Sequence, residues 1–272
     1  MERTETAEVL VTVKAYPQLS RKSGEVVCVA GVRLDGPEPE WIRLYPVHYR
    51  DLDEFRKFKK YDVIRLEVRR GKDARPESFL PMQGTIEVDR SVPSSKDQLW
   101  SARRALMGRL IAETTMCRLQ ALNIGSGRKA APSLGLIKPE VLDVLVETNN
   151  EFDADKRALA VMASEATLFS DAKQQLEPSP YVVKYRYRCA EPGCDTHTQS
   201  LIDWEVGEAG RKWSGQYSPQ EVPGRIRDKF LSQLCGQDRD THFFVGNTHR
   251  WLGTFLVLGV FWPKRDDRQL LF

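Results

Sequence analysis

Between residues 7 and 90 the chain carries five short runs with the alternating or continuously apolar character of β-strands. They are AEVLVTVKAY (7–16), EVVCVAGVRL (25–34), EWIRLYPV (40–47), YDVIRLEVRR (61–70) and GTIEVDR (84–90). Turn-forming stretches separate them, SRKSG at 20–24 and DGPEPE at 35–40. The segment RDLDEFRKFKK (50–60) spaces Leu52, Phe55 and Phe58 three apart and predicts one short helix. Five short strands with one helical insertion fit a small closed or nearly closed barrel of the OB or PUA-like sort, spanning residues 1–92.

The pattern then changes. Ser94 or Ser95 is placed to cap a helix through residues 97–122, with Leu99, Ala102, Leu106 and Leu110 along one stripe. Residues 123–135 read as a loop of small residues, PEVLDVLVE as a strand or short helix, and 153–169 as an amphipathic helix. This middle part, 93–178, is expected to be mainly helical. The Glu177-Pro-Ser-Pro180 stretch marks a boundary to a third part, 179–272. There YVVKYRYRC (181–189) is a strand and GRIRDKFLSQL (224–234) a helix. THFFVGN (241–247) and GTFLVLGVFW (253–262) form a hairpin of buried strands. The fold class is α+β: a barrel, a helical middle and a C-terminal α/β part. No internal repeat or low-complexity tract interrupts it.

Within that last part, RCAEPGCDTHTQSLIDWE (188–205) concentrates the residues able to do chemistry. Cys189-x4-Cys194-x2-His197 supplies two thiolates and an imidazole, the ligands that zinc favours, and Pro192-Gly193 makes the turn between them. A closed site needs a fourth ligand. Cys117 is the first choice and Cys235 the alternative, with His242 and His249 also available. Three readings stand side by side: a structural zinc, metal-free cysteines, and an iron–sulfur cluster on Cys117, Cys189, Cys194 and Cys235. Cys28, inside VVCVAG, reads as a core cysteine. Five cysteines without a disulfide framework fit the reducing cytosol.

Asp203 and Glu205 flank Trp204. On a strand both carboxylates would share one face, as in metal-dependent nucleases and glycosyl-bond enzymes. With His242 they are the catalytic candidates for an enzyme acting on nucleic acid or nucleotides, against the plainer reading of Asp203 as a buried hydrogen-bond anchor. No nuclease, phosphate-loop or serine-hydrolase motif is completed.

A net charge of +3 is nearly neutral, but residues 43–75 hold eleven Lys/Arg against six Asp/Glu. Aromatics accompany that excess. Trp41, Arg43 and Tyr45 fall on one strand face with Ile42 and Leu44 on the other, and Arg250-Trp251 repeats the combination in a turn. Such residues stack bases and neutralise phosphates; the alternative is cross-strand packing with snorkelling arginines.

Ser20-Arg21-Lys22, Cys28-Val-Ala-Gly31, Trp41-Ile-Arg43 with Pro46, and Arg75-Pro-Glu-Ser78 together resemble the N-terminal signature of dual-OB domains. The resemblance covers about the first eighty residues. It implies a nucleic-acid-binding component of a bacterial defence or DNA-processing system, with DNA or RNA and other subunits of such a complex as partners. Arg21, Lys22, Trp41, Arg43, Tyr45 and Arg250 are then the expected binding residues. A scaffold that binds only protein is the remaining alternative. The polar, acidic N-terminus is no secretory signal and no apolar run reaches about 18 residues, so a cytoplasmic location off the membrane is expected.

Overall fold

The computed structural model describes residues 3–20, 24–125, 131–150, 157, 160, 161, 164, 174–249 and 251–266. Its N-terminal part is a closed five-stranded barrel of OB-like form. Strands β1 (Thr4–Lys14), β3 (Gly24–Arg33), β4 (Glu40–Val47), β6 (Ser78–Pro81) and β5 (Asp62–Arg69) follow one another around the ring, and β5 pairs back onto β1. β2 (Gln18–Ser20) and β7 (Glu87–Ser91) are appended to β3 and β5. Val9, Val11, Val29, Ile42, Leu44, Ile64 and Phe58 fill the interior. Gly31 lets β1 and β3 close up, since a Cβ there would lie 2.2 Å from the Leu10 carbonyl oxygen. The helix expected over 50–60 is two 3-10 turns, Tyr49–Asp51 and Glu54–Arg56.

A second, six-stranded sheet follows. It is formed by β8 (Leu134–Ile137), β9 (Pro139–Thr148), β10 (Tyr181–Cys189), β11 (His197–Leu201), β12 (His242–Asn247) and β13 (Phe255–Phe261). The order is β8-β12-β13-β11-β10-β9. Two of its strands, β8 and β9, thus lie in the span expected to be mainly helical. All its ladders are antiparallel except β11–β13, a parallel contact through Leu201 and Val257 alone. Two hairpin-based halves therefore meet at a narrow seam.

The long helix expected over 97–122 is broken into α1 (Ser101–Met107), a 3-10 turn at Gly108–Leu110 and α2 (Met116–Gly125). Gly108 and Ala112 have positive φ, and Ile111 bridges to Leu136, so a strand-like contact with the second sheet wins over helix continuation. Helix α3 (Trp204–Ser214) and α4 (Glu221–Arg227), which continues as a π-turn over Asp228–Gln233, cover one face of the second sheet. The helix expected over 153–169 lies mostly outside the described residues; Arg157, Ala160, Val161 and Ser164 within it are helical.

The opposite face of the second sheet packs on the outside of the barrel. Leu10, Ala30, Val32 and Trp100 meet Leu136, Phe244, Leu258 and Phe261 in a shared core. This explains why β3 reads as a nearly continuous apolar run and β12 and β13 as buried strands: each is buried on both faces. Among the described residues, no helix is long and apolar enough to cross a membrane.

Candidate functional site

Two places gather chemically capable side chains. The first is the cysteine segment. β10 ends at Cys189, and a turn closed by the Cys194 amide donating to the Glu191 carbonyl (3.1 Å) carries Gly193 at φ +74°. His197 opens β11. Cys117 enters from the first turn of α2, whose N-terminus is capped by the Thr115 hydroxyl accepting from the Arg118 amide at 3.1 Å. The Thr115 hydroxyl also donates to Glu191 at 2.8 Å, tying helix to turn.

Cys117 Sγ lies 3.4 Å from His197 Nε2, Cys194 Sγ lies 3.3 Å from the same nitrogen, and Cys189 Sγ lies 3.4 Å from Cys194 Sγ. All four ligand atoms fall within 4.8 Å of one another, so this Cys3His group could hold a metal ion. A tetrahedral zinc with bonds of about 2.3 Å sets sulfur atoms roughly 3.8 Å apart, inside that span. Burial raises the Cys189 thiol, but backbone hydrogen bonds at Cys117 and Glu191 and side-chain bonds from His197 and Cys194 outweigh it, leaving it at about 6. Cys117 is pushed up to about 12 by burial and by the two neighbouring sulfurs.

The alternative ligands go elsewhere. Cys235 donates to the Phe230 carbonyl at 3.3 Å and is pushed up to about 12 by burial. The four-cysteine set of the iron–sulfur reading is therefore not assembled: the fourth position belongs to His197. His242 is buried against Phe261, with Nδ1 3.0 Å from the Asp240 carbonyl, and burial lowers it to about 4. His249 faces Asp73.

The second place is a cleft of about 700 Å³ where the barrel, the connector and the second sheet meet. Lys14 from the end of β1 and Lys59, Lys60 and Tyr61 ahead of β5 line one wall. Trp100 and Arg103 come from the connector, and Trp204, Glu205 and Trp262 from the second unit. Asp203 sits behind it as the N-cap of α3, accepting from the Glu205 amide at 3.0 Å. It is not on a strand. A helix starts here because the capping carboxylate competes successfully for the first free amides. The two carboxylates nevertheless converge, since Lys60 Nζ is 2.8 Å from both Asp203 and Glu205. Burial works against the Lys60 charge, but these two acids hold the ammonium protonated well above the ordinary lysine range. Asp203 is buried and fully engaged, which leaves it an anchor between the two units.

The other cations of the cleft are held differently. Lys14 Nζ stands 4.1 Å from the centre of the Tyr49 ring and 4.3 Å from that of Trp204. Arg103 lies 3.8 Å over Tyr61 and 4.6 Å from Trp100, and its Nε donates to the Val92 carbonyl at 2.9 Å. Lys59 is exposed at the rim. Among the described residues no carboxylate pairs with Lys14, Lys59 or Arg103.

The residues expected to bind nucleic acid on β4 are mostly covered. Trp41 packs edge-on against Phe244 of the second sheet. Arg43 is 3% exposed and donates to the Ser133 carbonyl (3.1 Å) and hydroxyl (3.3 Å). Tyr45 alone of the three remains exposed. The Arg75-Pro-Glu-Ser78 segment serves the same junction: Arg75 donates to the Asn247 carbonyl at 2.9 Å, and Glu77 accepts from the Ser133 amide and hydroxyl, each at 2.8 Å. These motifs latch the barrel to the second sheet, because the outer face of β4 is the face that the sheet covers. Arg21, Lys22 and Arg250 lie outside the described residues.

Sequence reasoning missed Lys14, Lys60 and Arg103. The signal for the first two was present, a lysine closing the apolar run VLVTVK and a lysine pair leading into β5. Their convergence depends on how the two units dock.

The two units also correspond to two family models. The chain belongs to the family described as Domain of unknown function (DUF8757), which matches residues 112–272, more than half of the chain. A second model, Domain of unknown function (DUF8758), matches residues 5–109. The limits of the two matches fall at the break between α1 and α2. No curated protein matches the chain.

Proposed function

We propose that this protein binds nucleic acid at the junction between its barrel and its second sheet, and that a zinc ion in the Cys117–Cys189–Cys194–His197 group braces the second sheet. The junction cleft carries the first part of this reading. Its lysines and arginine outnumber the acids at hand, and among the described residues three of its cations have no carboxylate partner. A protein surface keeps such cations unpaired at a cost in self-repulsion, which a phosphate backbone relieves with release of counterions. Zinc is the metal of choice for three thiolates and an imidazole within 4.8 Å of one another. Asp203 and Glu205 do not favour the enzyme reading, since both are committed to Lys60.

Fluorescence anisotropy of labelled single- and double-stranded DNA and RNA, titrated across a salt series, tests the binding. Three cations on phosphates predict affinity falling with salt at a log–log slope of about −2 to −3. Replacing Lys59 and Arg103 by glutamine should flatten that slope by about 2. Absence of binding at low salt, or an affinity indifferent to salt, would rule the reading out.

A further inference from the structure

The way the cleft holds its cations says what part of a nucleic acid it takes. A groove that tracks a strand pairs open aromatic faces with charges, so that bases stack while phosphates are neutralised. Here the faces are already taken. Lys14 caps Tyr49 and Trp204, and Arg103 caps Tyr61 and Trp100. The rings act as mounts: they fix the cations without neutralising them, which a carboxylate partner would do. Trp100 and Tyr61 are buried and form the floor, Lys14 and Arg103 stand half-buried above it, and Lys59 is exposed at the rim. The space is a pocket of about 700 Å³, within the range of small-ligand sites. Four cations, Lys14, Lys59, Lys60 and Arg103, face two carboxylates, Asp203 and Glu205. The two charges left over match a phosphomonoester, which carries about −2 near neutral pH, better than the single charge of an internal phosphodiester.

We infer that the junction cleft is a pocket for the terminal phosphate of a nucleic-acid strand, bound through Lys14, Lys59 and Arg103 without reading the base. The inference rests on the proposed nucleic-acid binding and narrows it to a strand end. Lys60, committed to Asp203 and Glu205, fixes the back wall and sets the net charge.

The experiment compares oligonucleotides identical in sequence but ending in a 5′-phosphate, a 3′-phosphate or hydroxyls at both ends. Binding is read by intrinsic tryptophan fluorescence and by anisotropy. One phosphorylated end should bind at least tenfold tighter than the hydroxyl-ended strand, and changing the terminal base should leave that ratio unaltered. Lys14→Gln should remove the preference by lowering affinity for the phosphorylated strand to that of the hydroxyl-ended strand, whose own binding weakens by less. Lys59→Gln, a change at an exposed side chain, should reduce the preference severalfold. Equal affinity for phosphorylated and hydroxyl ends would overturn the end pocket and leave general nucleic-acid binding standing. No binding of any strand would overturn both. A nucleoside monophosphate that competes as well as the phosphorylated strand would make the ligand a free nucleotide and overturn the strand-end assignment.

Discussion

The barrel and the second sheet solve the problem of sheet edges in different ways. The barrel closes by backbone alone, with β5 pairing back onto β1 over seven residue pairs from Thr4–Arg69 to Leu10–Val63. Closure leaves that ring no free edge and needs no side-chain chemistry. The second sheet stays open, and its middle contact, β11 with β13, amounts to Leu201 against Val257 and one further hydrogen bond from the Ile202 amide to the Val257 carbonyl at 3.0 Å. The Cys/His group spans this weak place. Cys189, Cys194 and His197 belong to the β10–β11 half. Cys117 sits on α2, which is tied to the β8–β12 half through Asn123, whose amide oxygen accepts from Asn247 at 3.0 Å. A metal there would join side chains across a seam where the backbone supplies little.

The junction between the two units can be broken at Asp203. Asp203→Asn leaves Lys60 with Glu205 as its only close carboxylate while keeping a side-chain oxygen to cap α3. The expected loss is about 3 kcal/mol, as for removal of one partner of a buried ion pair, measured by urea unfolding. A loss below about 0.5 kcal/mol would mean that the two units do not depend on this contact.

A smaller effect sharpens the role of Lys14. Burial, and then the neighbouring Lys60, lower its ammonium from the ordinary 10.5 to about 8, against the pull of Asp203, Glu205 and Glu208. Between those two values the unfolded chain keeps a proton that the folded chain has released, so this group makes stability rise with pH through that window. The ring contacts of Lys14 favour its charge and limit the rise to on the order of 1 kcal/mol. Phosphate affinity should fall over the same window. Both trends should vanish in Lys14→Gln when unfolding and binding are followed between pH 7 and 10. Parallel curves for the two proteins would mean that Lys14 titrates as it does in the unfolded chain.

Much of this was legible in the sequence. The barrel strands follow from alternation and turn residues, and β4 coincides with the expected run at 40–47. The Cys117, Cys189, Cys194 and His197 set follows from ligand chemistry and the turn between the cysteines, although Cys117 stands 72 residues before Cys189. The outer face of the barrel was misread for a physical reason that the sequence also held. Strands apolar on both sides, such as VVCVAGV, require a cover on both sides. A barrel built from them cannot present β4 openly, so Trp41 and Arg43 become junction residues. The break at Gly108–Ala112 and the convergence of Lys14, Lys60 and Arg103 were not legible. Both depend on contacts between segments far apart in sequence, which local periodicity does not encode.

The most direct test of the brace is hydrogen–deuterium exchange on the purified protein before and after chelation, with bound metal counted by elemental analysis. The brace predicts about one zinc per chain. Its removal should speed exchange at least tenfold in peptides covering β10, β11 and β13, while peptides of β3 and β4 keep their protection. Full protection of β10, β11 and β13 in protein shown to hold no metal would contradict it.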